Sequence, residues 1–363
     1  MSVTIKPTSQ ITNISVTDTA DSVMLKLNVN GVWLPTTGDL VAPTIDGVAT
    51  FYNIREIIEN QLENTGKSLA EINISAFGST EFRFNPFYAV YLKHRFDGSF
   101  STFLKRNFLS TRNSKRLTAD ASENITYIVD DTESASLILR ITYITANGDV
   151  RTGKVSIKTA APSSGTVLCD SYTIDYIGAD SLATSNFTDY GGKVLAVSAQ
   201  LGERYYSVYF PDFQPSMSLM FVNAFNAIET CQIECQTTTK SKVDSSTAVG
   251  MEQTWQYDRR LEKTYETETA ALTMPELRWF EQILNSDNVA LVDFANKNEE
   301  PWADSPRIII TDSTCEVSDS NSELQRIKFT WQFRENNPEL GIGYVPTTPD
   351  DGIFTDEYDI IFK

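Results

Sequence analysis

The chain has 363 residues and a formal net charge of −18, with 30 Lys and Arg against 48 Asp and Glu. So acidic a molecule repels nucleic acid and anionic membranes, and no apolar run approaches the roughly 20 residues that span a bilayer. Its 20 Phe and 15 Tyr, with frequent Thr, Ser, Asn and Asp, favour β structure, and the length allows two or three domains with cores of their own.

Residues 1–20 are rich in Thr and Ser and read as an extended arm or a first edge strand. The opening Met-Ser-Val-Thr-Ile-Lys lacks a charged segment followed by an apolar one, so a secretory route is not expected. Residues 23–29 alternate as a strand, Asn30-Gly31 is a tight-turn signal, and Val32, Trp33 and Leu34 resume the strand. Residues 44–51 carry a second such turn. Asn53, with Glu56 three residues on, is read as the cap of a helix with the stripe Ile54, Ile57, Ile58 and Leu62, closed by Gly66. Residues 72–77 and 86–92 return to strand, which makes 1–118 a β-sandwich with one helix and an N-terminal arm.

Residues 93–118 are the one basic stretch: Lys93, Arg95, Lys105, Arg106, Arg112, Lys115 and Arg116, with Phe96, Phe103, Phe108 and Leu109 between them. Basic residues interleaved with aromatics can grip single-stranded nucleic acid. The overall charge favours the other reading, in which the aromatics pack inward and Lys105, Arg106, Arg112, Lys115 and Arg116 pair with acidic patches on neighbouring subunits.

In the second unit, 119–213, residues 124–129, 135–144, 150–157, 167–169, 171–177, 193–199 and 205–210 read as strands. Asn147-Gly148 and Gly191-Gly192 are read as turns, and residues 160–165 as a short break. Strands at roughly 8–12-residue spacing describe an Ig-like or fibronectin-like sandwich. The third unit, 214–338, starts with the segment FVNAFNAIET, followed by a Thr/Ser/Lys-rich link and a polar-alternating strand over 253–272. Thr273-Met-Pro-Glu276 has the form of a capping box with proline in the first turn of a helix over 275–286. Leu277, Phe280, Ile283 and Leu284 share its apolar face, and strands follow at 289–294, 307–311 and 324–333. The expected fold is thus mainly β: tandem sandwiches, two short helices and extended terminal arms.

Residues 339–363 read as a C-terminal arm, Gly-, Pro- and Asp-rich at first and then strand-like. Its apolar positions Ile353, Phe354, Tyr358, Ile360 and Phe362 suit addition to a sheet edge, in its own unit or in a neighbour.

No catalytic constellation emerges. His94 is the only histidine, which leaves Ser or Cys nucleophiles without an imidazole base. Carboxylate pairs such as Asp130 and Asp131 arise by chance among 48 acidic residues, and there is no phosphate loop, dinucleotide fingerprint or zinc-protease motif. Cys231 and Cys235 lack further ligands at suitable spacing and are read as reduced thiols, so neither metal nor cofactor is expected. An alternative is a carbohydrate-binding or adhesive module, for which Trp302 in the loop Glu-Glu-Pro-Trp-Ala-Asp is the candidate glycan contact.

The segments VNGVWLPTTGDLVAPTIDGVATFYNIREIIENQL, RNFLSTRNSKRLTADASENITYIV, FVNAFNAIET, LTMPELRWFEQILNSDNVAL and RIIITD occur in that order over residues 20–335. Together they resemble large structural virion proteins of phages and prophages of gut Bacteroidetes, associated with the tail, baseplate or neck. The resemblance implies a β-rich, non-enzymatic protein without cofactor that assembles with itself in rings and with other tail proteins. It would be made in the bacterial cytoplasm and located in the virion.

Overall fold

Two of the tight turns form as their residues dictate. Asn30 and Gly31 adopt φ of 51° and 84°, Asp46 and Gly47 51° and 76°, so both central residues are left-handed and each turn matches the twist of its flanking strands. A computed structural model describes residues 3–36, 38–94, 96–249, 254–294, 301–315 and 324–335, and the fold is mainly β. The arm over 339–363, including Ile353, Phe354, Tyr358, Ile360 and Phe362, lies outside the described residues, as does Arg95.

The first unit contains β1 (Ile5–Pro7), β2 (Ile14–Thr17), β3 (Ser22–Val29), β4 (Val32–Leu34), β5 (Leu40–Ile45) and β6 (Val48–Phe51). Helix α1 (Ile54–Thr65) follows, then β7 (Leu69–Phe77), β8 (Glu81–Arg83) and β9 (Phe87–Val90). One nine-stranded sheet results, in the order β1-β9-β7-β3-β5-β6-β2, with β4 and β8 paired on β3 and β7. Ile54, Ile58 and Leu62 of α1 bury against Val23, Leu25 and Leu27. Gly66 closes the helix at φ 62° as expected, but Asn53 does not cap it: the residue is itself left-handed, and its side chain accepts no bond from the first turn.

The second unit gathers α2 (Phe100–Arg106), β10 (Ser114–Arg116), β11 (Ser122–Asp130), β12 (Ala135–Thr145), β13 (Val150–Ala160) and β14 (Val167–Asp175). It continues through α3 (Tyr176–Asn186), β15 (Tyr190–Leu201) and β16 (Arg204–Tyr209). A five-stranded sheet, β10-β16-β15-β12-β13, faces the two-stranded ladder β11-β14. Inward residues of both, among them Ile125, Tyr127, Leu139, Ile141, Val197 and Tyr206, share one core. Here β10, read from sequence within the first unit, runs parallel to β16 and so belongs with this sheet. Gly191-Gly192 is not a turn but a bulge within β15, where Ile144 pairs with Lys193 and Thr145 with Tyr190. A Cβ at Gly191 would meet the Thr145 backbone at 2.5 Å, so the close approach requires glycine. Residues 171–177, read as a strand, instead end β14 and begin α3, where the Asp175 carboxylate accepts from Gly178 N–H at 2.6 Å.

The third unit holds β17 (Met217–Val222), β18 (Ile228–Ile233), β19 (Cys235–Val249), β20 (Thr254–Thr269), β21 (Leu272–Thr273) and α4 (Met274–Leu284). After them come β22 (Val289–Leu291), α5 (Pro301–Asp304), β23 (Arg307–Cys315), β24 (Leu324–Gln325) and β25 (Ile327–Phe333). Its seven-stranded sheet has the order β18-β17-β22-β23-β25-β20-β19. The capping box of α4 forms: Thr273 N–H donates to Glu276 Oε2 at 3.0 Å, and Leu277, Phe280 and Ile283 bury against the sheet. The Thr/Ser/Lys-rich link expected before the polar strand is itself β19, a 15-residue strand whose hydroxyls and ammonium groups tolerate exposure on both faces. Among the described residues there are five α-helices where two were expected.

The three units are welded together. Met220, Ala290, Val292 and Phe294 of the third unit enter the core of the second. A smaller core joins Val90 and Leu92 of the first unit to Phe100, Leu104 and Ile128 of the second and Phe225 and Ala227 of the third.

Candidate functional site: the buried junction and the projecting ribbon

The basic stretch does not make one surface. Within β10 the side chains alternate in direction, and this sends Lys115 inward and Arg116 outward. Lys115 is buried, and its ammonium donates to Glu123 Oε1 at 2.8 Å, Glu229 Oε2 at 2.7 Å and the Thr230 carbonyl at 3.0 Å. Glu123 also accepts from Tyr206 Oη at 3.0 Å and from Thr230 N–H at 3.0 Å. Glu229 accepts from Asn223 Nδ2 at 2.6 Å and Trp279 Nε1 at 2.9 Å. Five elements from two units therefore converge on one ammonium and two carboxylates.

Burial is the largest influence on all three charges, and the partners overcome it at Glu229 and Lys115 but not at Glu123. Burial pushes Glu229 up, but the Lys115 charge and the bonds from Asn223, Lys115 and Trp279 outweigh it, and its pKa falls below the usual value. For Glu123 burial prevails over Lys115, and the Glu229 charge adds to it, raising the carboxyl to about 7. Burial would lower Lys115, yet the two carboxylates beside it hold its pKa above the ordinary lysine value. The Lys115 ammonium also sits over the Trp279 ring at 4.8 Å.

The other expected interface residues scatter. Arg112 is half-buried, donating to Glu276 Oε1 at 2.9 Å and lying 5.1 Å over Trp279, so it ties the second unit to the start of α4. Arg106 pairs on the surface with Glu203 at 3.2 Å, Arg116 lies over Phe213, and Lys105 is exposed on α2. The Phe residues between them do pack inward: Phe96 and Phe100 meet Phe103, which stacks on Phe225 at 5.3 Å. Lys115 is thus corrected from a surface contact to a buried centre, and Arg112 and Arg106 pair with acids of their own chain rather than awaiting a neighbour's. Trp302 is half-buried, and the Arg307 guanidinium covers one face of its ring, 3.7 Å from the centroid.

Two centres escaped the sequence reading. The turn at Asn223–Asn226, inside FVNAFNAIET, is the hub of all three units: Asn223 Nδ2 reaches the Leu109 carbonyl at 2.7 Å, while Asn226 Nδ2 reaches the Leu62 and Lys67 carbonyls at 2.9 and 3.0 Å. The two asparagines were visible in that motif, but the carbonyls they hold in the other units are more than 100 residues away. Arg204, fully buried, grips Glu133 with two bonds at 2.6 and 3.0 Å and caps the Leu104 and Ile128 carbonyls. Nothing in its sequence context distinguishes it from an exposed strand arginine.

The other prominent feature is outside the body. Strands β19 and β20 pair from Cys235↔Thr269 to Val249↔Thr254, whereas β25 covers β20 only over residues 265–268. At the root, Tyr265 stacks on Trp331 at 4.2 Å, and Trp331 Nε1 donates to Thr267 Oγ1 at 2.9 Å. Beyond it, residues 254–264 and their partners form a two-stranded ribbon that projects by about 35 Å at ~3.4 Å per residue. Lys240, Ser241, Lys242 and Val243 are exposed along it.

Free thiols at Cys169, Cys231 and Cys235 line cores, and no group of three His, Cys, Asp or Glu side chains that could hold a metal ion occurs among the described residues. No described helix is long and apolar enough to cross a membrane. In comparisons with known proteins, no family model matches this chain and no curated protein matches it.

Proposed function

We propose that this chain is a non-enzymatic structural protein of a phage virion, a component of the tail, tail tip (baseplate) or neck that assembles with copies of itself and with other tail proteins. The observation that carries the reading is the ribbon of β19 and β20. A two-stranded ribbon is marginal alone in water, and this one leaves the body with its edges unpaired among the described residues. Such a projection gains its stability from a neighbour, by main-chain pairing or by packing. The welded junction supports the same role, because a part that transmits load must not flex between its units. The resemblance of the segments over residues 20–335 supplies the virion setting, and the two facing β layers of the second unit favour sandwich architecture of the Ig-like or fibronectin-like kind.

The test is the mass of the purified protein by light scattering over a concentration series, with electron microscopy of the product. A variant with residues 241–263 replaced by a short Gly-Ser turn is run beside it. Rings or discrete oligomers that require the ribbon support the reading; a monomer at every concentration, alone and with lysate of infected host cells, removes it.

A further inference from the structure

Strands at the ends of sheets offer unpaired N–H and C=O groups, and proteins usually keep such strands very short. This molecule follows the rule at most of its described sheet ends: β1 has 3 residues, β2 has 4, β10 has 3 and β18 has 6. The nine-residue β14 has its edge crossed by Lys158, which donates to the Ser171 carbonyl at 3.1 Å. The nine-residue β11 has its edge taken up as well, the Thr126 carbonyl accepting from Leu109 N–H and the Ile128 carbonyl from Arg204, each at 2.7 Å, so two end strands break the rule: β19 with 15 residues, the outer strand of the ribbon, and β13 with 11. The overhanging part of β19, residues 240–249, has 10 residues against the 11 of β13.

We infer that β13 is the landing strand for the ribbon of a second copy of this chain, with β19 of one copy adding to the open edge of the five-stranded sheet of the next. This rests on the assembly reading above and names its surface. Charge does not oppose the contact. β13 has no carboxylate of its own, its Arg151 pairs with Asp189 at 2.5 Å and its Lys158 with Asp170 at 2.6 Å, so the strand adds no acidic residue to a contact between two chains of net charge −18. The faces fit as well: Thr152, Lys154 and Ser156 are exposed and polar, as are Thr238, Lys240 and Lys242 on β19, while Lys240 already has Glu266 as its ion-pair partner. Because donor and acceptor strands differ, the contact is head-to-tail and closes into a ring or runs on as a fibre, according to the rotation between copies.

The test uses two full-length variants that complement each other. One has residues 241–263 replaced by a Gly-Ser turn and lacks the donor; the other carries Lys154→Glu with Ser156→Glu and has a blocked acceptor. Each alone is expected to need at least tenfold more protein than wild type to assemble. An equimolar mixture, with one good ribbon and one good edge, is expected to stop at twice the protomer mass. Wild-type assembly with both variants assembling unchanged overturns this inference and leaves the assembly reading standing; a wild type that never assembles overturns both. Hydrogen exchange of the wild type reads the contact without substitution: amides over residues 150–160 slow as concentration rises, and unchanged exchange in an assembled sample is equally fatal to it.

Discussion

At the scale of single residues, the Lys115 centre is where charge and burial meet most sharply. Removing one partner of a buried ion pair leaves the others desolvated and uncompensated, at a cost of about 3–5 kcal/mol. Lys115→Ala is therefore expected to lower the free energy of unfolding by that amount in urea titrations, whereas exposed Lys105→Ala should stay within about 0.5 kcal/mol of wild type. Glu123 gives the centre a pH signature. Its folded pKa, about 7, lies above the ordinary 4.5, so between those values the folded state holds a proton that the unfolded state has released. The stability this contributes is fully present below about 4.5 and is lost as pH rises through 7. The difference in unfolding free energy between wild type and Glu123→Gln should accordingly shift against wild type from pH 5 to 8; an unchanged difference would mean that the carboxyl is ionised throughout. The groups facing it are Lys115, Glu229 and Tyr206.

At the scale of elements, local devices decide where structure starts and bends. The α4 box satisfies helix N–H groups, and Glu276 serves both the box and Arg112, so Thr273→Ala is expected to cost about 1 kcal/mol and Glu276→Ala more than that. Gly191→Ala forces a methyl against the Thr145 backbone at the β15 bulge and is expected to cost about 1–3 kcal/mol, seen as a lowered melting temperature. At the hub, Asn226 holds a left-handed φ of 57° and two carbonyls of the first unit, so Asn226→Ala loses a conformation and two hydrogen bonds together.

At the scale of the whole molecule, cores that cross unit boundaries couple the units. Because Met220, Val292 and Phe294 lie in the second unit's core, exposing either unit alone strips apolar surface from both. Calorimetry of residues 1–338 is expected to show one transition for the second and third units, with calorimetric and van't Hoff enthalpies in agreement. Two separated transitions would show that the shared core contributes little.

Patterns that act within a few residues were legible in advance: the Asn30-Gly31 and Asp46-Gly47 turns, the stripe of α1, the box of α4 and most strands. Such signals fail where a neighbour overrides them. Tyr176 to Asn186 lacks an apolar stripe because only the small Ala179 and Ala183 bury, so its helix was hidden, and the Gly191-Gly192 pair resembles a turn until Thr145 is placed beside it. By itself the sequence determined a β-rich, acidic chain and its local punctuation, since those depend on composition and on periods of two and 3.6 residues. Only the tertiary structure decided that Lys115 is a buried centre and not a surface contact, that Asn223 and Asn226 join three units, and that β19 and β13 are the long edges. Each of these depends on groups far apart in sequence, and no local pattern encodes which distant strand will lie alongside.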